Sequence, residues 1–278
     1  DAIVMPLLAE ADLVLACGYD PIEMRAGWQD PWEPGKCIEI QAAPDRQDMH
    51  GAAIAWSCGI AAGLAALGEG VEPHPVWPGD EPERVREALH SAFAAGADWG
   101  PAAAIAVMDR MKPEGLVTTV DSGAHRILLS QMWHCVAPHS LLQSTGLCTM
   151  GCALPLATGR ALAEPGRRCL AVMGDGCLDM ILGELATLRD LALPVTVAVL
   201  NDASLALIEL KQRREGLQTA GVEFGRTDYA GIARALGLAA WSVSDAEALA
   251  EAFAAAMAAP GPGLIEIALP RRGYDGLF

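Results

Sequence analysis

The chain has 278 residues, 52% hydrophobic and 19% charged, with 35 acidic against 19 basic side chains and a formal net charge of -16. Such a composition buries a large core and excludes intrinsic disorder, and the length suits two domains of about 100–200 residues each. The acidic balance argues against nucleic acid or an anionic membrane surface as a partner, so any bound anion has to be held by local geometry.

Apolar runs come first at Leu13–Cys17, Cys37–Gln41 (closed by Pro44) and Ile54–Ser57, separated by helical or turn material, which predicts buried parallel strands. Pro21 to Pro34, with Trp28 and Trp32, reads as a loop packed by its aromatics. The uncharged stretch Gly51–Gly68 is mostly Ala with several Gly, a strand and helix rather than a membrane span. Residues 71–82, rich in Pro, Gly and acidic side chains, form the expected linker between a first α/β unit at 1–70 and a second domain at 83–278.

Helical patterns follow at Arg84–Ala94 and Pro101–Met111. Strands are then expected at Leu116–Val120, Leu170–Gly174, Val195–Leu200, Ala239–Val243 and Leu264–Ala268. Helices are expected between them at Gly151–Ala163, Cys177–Leu191, Tyr229–Leu236 and Asp245–Ala259. That alternation predicts a parallel sheet covered by helices on both faces. Eight cysteines without a CxxC pair read as reduced, mostly buried thiols, which places the chain in the cytoplasm. It begins at Asp1 with no charged-then-apolar leader, so no signal peptide is expected.

The chemistry concentrates between Cys169 and Ser204. The strand at Leu170–Met173 runs into Gly174-Asp175-Gly176, a helix follows, and the next strand runs into Asn201-Asp202. A right-handed crossover brings both strand ends to the same edge of the sheet, so Asp175 and Asp202 converge. The glycines admit a ligand to the backbone, and a helix start at Cys177 offers amides and a positive dipole end. Carboxylates beside such a phosphate cradle suit Mg²⁺. Gly-Asp-Gly alone also occurs in ordinary turns, and its weight here comes from its setting. Cys148 with Cys152, and His134, Cys135 and His139, match no zinc spacing. Arg213 and Arg214 meet a carboxylate substrate or form a solvated basic turn.

Gly-Asp-Gly after one strand and Asn-Asp after the next resembles the diphosphate-binding motif of thiamine diphosphate enzymes, where the second element is Asn-Asn. Gly183-Glu184-Leu185-Ala186-Thr187 and Leu193-Pro194-Val195 are similar to the acetolactate synthase and 2-oxo acid decarboxylase branch. Gly146-Leu147-Cys148-Thr149-Met150-Gly151 resembles that branch's Gly-x-Gly-x-Met-Gly segment, and Asp121-Ser122-Gly123-Ala124-His125 its Asp-Val-Gly-x-His segment.

The resemblance implies a three-layer α/β/α domain with a parallel doubly wound sheet, preceded by part of a second Rossmann-like domain of the family's middle type. It implies thiamine diphosphate with Mg²⁺ held by Asp175, Asp202 and the backbone carbonyl of Ser204. The cofactor would be lined by Ser122, Gly123, Ala124, His125, Cys148, Met150, Gly174, Gly176, Cys177 and Leu205. Met150 would wedge between the cofactor's rings while the Cys148 carbonyl accepts a hydrogen bond from the pyrimidine amino group, the two catalytic positions. A 2-oxo acid would lose carbon dioxide, and the resulting enamine would be protonated or joined to a second carbonyl.

The pyrimidine-binding domain of that family, with its Glu, is not in these residues and would come from a partner chain or a missing N-terminal segment, and a homo- or hetero-oligomer is expected. The resemblance allows FAD in the middle-type segment but does not indicate it. Two positions depart from the pattern: Asp202 replaces the usual second Asn, and Lys211 stands where acetolactate synthases carry a Trp. The alternative is a non-catalytic cofactor-binding or assembly subunit; a nicotinamide-binding Rossmann domain lacks its Gly-x-Gly-x-x-Gly fingerprint here.

Overall fold

The computed structural model describes residues 2–19, 31–43, 50–73, 75–94, 96 and 98–277. Trp28 and Pro44 lie outside the described residues. The chain divides into two compact units between Ala92 and Phe93.

The first unit is a three-stranded parallel sheet, β1 (Val14–Cys17), β2 (Cys37–Gln41) and β3 (Ile54–Ser57), with β2 in the centre. Its helices are α1 (Met5–Glu10), α2 (Ile60–Leu67) and α3 (Glu81–Ala92). The central position of β2 buries Cys37 and Ile40 completely. Gly63 lets α2 settle on that strand, because a Cβ there would lie 2.8 Å from Ile40 Cγ2. α3 opens at Glu81, inside the stretch read as linker, and belongs with this unit; its early glutamates suit a helix N-terminus.

The second unit carries a six-stranded, all-parallel sheet in the order β5-β4-β6-β7-β9-β8. Its strands are β4 (Val117–Val120), β5 (Leu141–Gln143), β6 (Cys169–Gly174), β7 (Val195–Asn201), β8 (Ala239–Val243) and β9 (Gly263–Ala268). Along β6 the side chains alternate between two cores. Leu170 and Val172 join Ile105, Met108, Leu128 and Phe253 on one face. Cys169, Ala171 and Met173 join Leu154, Leu185 and Tyr229 on the other. The first face is covered by α4 (Pro101–Met111), α5 (Ala124–Met132) and α11 (Ala246–Ala258), the second by α6 (Ala153–Ala163), α8 (Glu184–Leu191) and α10 (Tyr229–Ala235). This is the doubly wound α/β arrangement that alternating strands and helices predict. Among the described residues no helix is long and apolar enough to cross a membrane.

Some elements differ from the sequence expectation. The helix expected over Cys177–Leu191 is two, α7 (Asp175–Asp179) and α8, separated by turn residues. Strand β5 is three half-buried residues at the sheet edge, too short to carry a hydrophobic period. β4 sits between β5 and β6, while the chain leaves β6 on the opposite side through β7. The winding direction therefore reverses between β4 and β6, and a crevice at their carboxyl ends is where such sheets receive ligands.

Candidate functional site

Three loops meet at that carboxyl edge: the turn after β4, the Gly174-Asp175-Gly176 turn after β6, and the Asp202–Leu205 turn after β7, which leads into α9 (Ala206–Arg214). Asp175 and Asp202 are 2% and 3% exposed. Asp175 Oδ1 accepts the Gly176 amide at 2.8 Å and Oδ2 accepts the Ala203 amide at 2.6 Å, so it ties the third loop to the second. Ala203 holds a left-handed φ of +58°, a conformation that costs a non-glycine residue about 1–3 kcal/mol and persists where its surroundings enforce it.

Asp202 Oδ1 accepts the Ser204 amide at 3.2 Å, while its Oδ2 is buried with no hydrogen-bond partner. The Ser204 hydroxyl is likewise buried without a hydrogen-bond partner, and it lies close enough to Asp202 to lower its pKa. Burial, and then the charge of Asp202, push the Asp175 carboxyl up to about 7. Burial pushes Asp202 up to about 6, against the lowering effect of Ser204. Among the described residues no three or more His, Cys, Asp or Glu side chains group to hold a metal ion. Two carboxylates and backbone oxygens instead offer the partial shell that suits a cation keeping water and phosphate ligands.

Asn201, the first residue of the Asn-Asp pair, turns the other way. Its Nδ2 donates to the Thr227 carbonyl at 3.0 Å and to Glu266 Oε1 at 2.9 Å, fixing the end of β7.

The turn after β4 is built on Asp121, which is fully buried. Its Oδ1 accepts the amides of Ser122 and Gly151, and its Oδ2 accepts the amide of Ala153 at the start of α6. This clamp holds the 148–153 segment against the strand end. Ser122 Oγ donates to the Cys148 carbonyl at 2.5 Å; that oxygen keeps a second lone pair for a ligand. Cys148 has φ +49°, which explains why the resembled pattern carries glycine at this position. Gly123 precedes α5, and Ala124, its first residue, is buried.

His125 is 4% exposed, with its ring packed against Gly123 and Gly174: a Cβ on Gly174 would meet the imidazole at 3.2 Å. Burial pushes its pKa down to about 4 although Asp121 opposes this, so the ring is neutral near pH 7, and its Nε2 is buried without a partner. Cys177 does not present a long helix dipole, because α7 has five residues; its thiol donates to the Ser122 carbonyl at 3.1 Å and links the two turns.

Gly176 faces an apolar notch. A Cβ there would lie 2.7 Å from Leu205 Cδ2, 3.6 Å from Met150 Cε and 3.8 Å from Phe224 Cζ. Met150, Leu205 and Phe224 thus close on Gly176, where only glycine fits without displacing Leu205. Phe224 was missed from the sequence because an antiparallel bridge between Ser204 and Glu223 brings it in from a distant loop. Tyr229 was missed too: its hydroxyl donates to Asp179 Oδ1 at 2.8 Å and lies 3.2 Å from the Asp175 carbonyl oxygen. Tyr274, near the end of the chain, is buried within the field of Asp202 and Asp175.

Arg213, a candidate for a substrate carboxylate, is engaged within the fold. It pairs with Asp275 at 2.5 Å and lies 3.6 Å from Glu209, a carboxylate 1% exposed that also pairs with Arg271 and Arg272. Lys211 is exposed. A cavity of about 460 Å³ opens at the opposite, amino-terminal edge of the sheet beside Glu114, Glu164, Arg167 and Arg168. Those arginines are occupied by Glu164 and by backbone carbonyls, so that cavity lacks the orphaned polar groups of the carboxyl edge.

Six parallel strands, helices on both faces and three loops converging at the winding reversal define a doubly wound α/β cofactor-binding domain. The model of the thiamine pyrophosphate enzyme C-terminal TPP binding domain matches residues 121–267, more than half of the chain, and the chain belongs to this family. It is 27% identical over 289 residues to the acetolactate synthase of Bacillus subtilis (strain 168), covering 94% of this chain and 47% of that protein. It is 27% identical over 277 residues to the catabolic acetolactate synthase of Raoultella terrigena, covering 96% of this chain and 49% of that protein. To the acetolactate synthase large subunit of Parasynechococcus marenigrum (strain WH8102) it is 32% identical over 185 residues, 66% of this chain and 29% of that protein. The chain spans about half the length of the first two.

Proposed function

We propose that the chain is the cofactor-binding portion of a thiamine diphosphate- and Mg²⁺-dependent enzyme that decarboxylates a 2-oxo acid, with protonation or carboligation of the product, in the manner of acetolactate synthases. The observation that carries this reading is the buried Asp175 and Asp202 pair at the winding reversal, with one Asp202 oxygen and the Ser204 hydroxyl left without partners. Such orphaned buried groups are rare without a ligand to satisfy them.

Asp175, Asp202 and the Ser204 carbonyl would hold Mg²⁺, and the Ser122–His125 turn with Gly174, Gly176 and Cys177 would cradle the diphosphate. Because the Gly176 amide already serves Asp175, glycine's role there is to let Leu205 pack close to the turn. Met150 and Leu205 would line the cofactor, and the Cys148 carbonyl, which already accepts the Ser122 hydroxyl, would keep a lone pair for its pyrimidine. Thiamine diphosphate supplies, when bound, the nucleophilic carbon and the electron sink for loss of carbon dioxide. The protein would orient it and would hold the neutral His125 beside the diphosphate.

The sequence assignment is a middle-type segment at 1–70, a linker at 71–82 and a binding domain at 83–278; with α3 in the first compact unit, we draw the start of the binding domain at Phe93. A pyrimidine-binding domain from a partner chain or an N-terminal segment would complete the site, in an oligomer. Eight free cysteines support a cytoplasmic setting. A non-catalytic cofactor-binding or assembly subunit that needs a separate pyrimidine-domain chain is the second reading; the exposed Lys211, where acetolactate synthases carry a Trp, counts against acetolactate synthesis itself.

The test is carbon dioxide release from pyruvate and other 2-oxo acids, by the chain alone and with a separate pyrimidine-binding domain. Release that needs Mg²⁺ and thiamine diphosphate, and is lost in Asp175→Asn, supports the enzyme. Cofactor binding without release in either arrangement supports the second reading.

A further inference from the structure

The cation assigned to this edge meets more negative charge than a single-carboxylate site provides. An Asn at position 202 would offer an oxygen and no charge, whereas Asp202 adds a second carboxylate beside Asp175, both almost wholly buried. Two like charges in a poorly solvated pocket repel, and one divalent ion between them cancels both. The arginines of this edge serve other groups. Arg271, Arg272 and Arg213 gather on Glu209, and Arg226 donates to the carbonyls of Asn201 and Leu269.

Hydrogen bonding leaves a defined opening. Asp175 uses its two oxygens on the amides of Gly176 and Ala203, each keeping further lone pairs. Asp202 uses Oδ1 on the Ser204 amide and leaves Oδ2 buried without a partner, with the unpartnered Ser204 hydroxyl beside it. The Ser204 carbonyl is not used by the bridge to Glu223, whose hydrogen bonds run from Leu205 to Val222 and from Phe224 to Ala203.

We infer that Asp175 and Asp202 bind a divalent cation without any diphosphate present, so that the metal fills the site first and the cofactor joins a centre already neutralised. The inference rests on the cation site of the proposed function and adds to it an order of assembly. It is tested by titrating the full chain with Mn²⁺ and following the loss of the free-ion electron paramagnetic resonance signal, first without and then with thiamine diphosphate.

One Mn²⁺ per chain is expected without diphosphate, displaced by Mg²⁺, and bound at least about tenfold more weakly by Asp202→Asn, a near-isosteric variant that removes only charge. Circular dichroism of that variant checks its fold. Retention of Mn²⁺ only when thiamine diphosphate is added overturns the inference and leaves the cofactor reading standing. Retention in neither condition overturns both. Equal affinity in wild type and Asp202→Asn also overturns it.

Discussion

The amide of Gly151 donates to Oδ1 of Asp121 at 2.8 Å, joining a loop to a strand end thirty residues earlier in the chain. The same carboxylate takes the amides of Ser122 and Ala153, so one buried side chain fixes the turn that carries His125 and the segment that carries Cys148 and Met150. Asp121→Ala leaves these amides without an acceptor and is expected to cost about 3 kcal/mol of stability in denaturant unfolding. Asp121→Asn keeps one acceptor oxygen and should cost about half as much. Equal stability of all three proteins would remove the clamp from the account.

Asp175 and Asp202 set the pH response. Both titrate higher in the fold, near 7 and 6, than the ordinary value of 3.8. Their protonated forms are thus favoured by folding. The contribution is fully present below about pH 4 and is lost as pH rises through about 6 and then 7. Metal-free protein should lose thermal stability between pH 5 and 8, apart from other groups, and Asp202→Asn should flatten that loss. Mg²⁺ competes with the protons, so it should raise Tm at pH 8 and little at pH 5. An equal Mg²⁺ effect at both values would contradict the assignment.

Gly176→Ala tests the notch. The new methyl meets the end of the Leu205 side chain at 2.7 Å, which can swing aside, so the fold should lose only about 1–2 kcal/mol. The displaced Leu205 would crowd the proposed cofactor site, and thiamine diphosphate affinity should fall at least about tenfold. Fluorescence titration reads this; unchanged affinity would show that the notch is not used.

At Cys148 the expected change is a gain. The left-handed backbone at φ +49° suits glycine, and Cys148→Gly should raise stability by about 0.5–1 kcal/mol, less the contact of its thiol with the Ser144 carbonyl at 3.3 Å. Thermal unfolding checks it, with a lower Tm as the contrary outcome.

The carboxyl-edge cluster was legible because its signals are local. Apolar runs at 170–173 and 195–200 are wholly buried strands, and the Gly and Asp residues that stop them are the ones that meet. Asp175, Asp202 and Ser204 fall where strand ends place them. What sequence could not give is set by long-range contact. Asp121 is one acidic residue among many until Gly151 and Ala153 fold onto it, and Phe224, Tyr229 and Tyr274 reach the site from later loops and helices. Arg213 looked available because its partners, Glu209 one turn away and Asp275 near the chain end, assemble only when the terminal segment packs on α9. The split of α7 from α8 was hidden because Met180 to Leu182 continue an apolar pattern through a turn.

The most direct measurement is calorimetric titration of thiamine diphosphate into the full chain with Mg²⁺, with EDTA, and with Asp175→Asn in place of wild type. The account predicts one cofactor per chain in the presence of Mg²⁺ and none in either of the other conditions. Binding of equal strength in EDTA, or undiminished binding by Asp175→Asn, would contradict it.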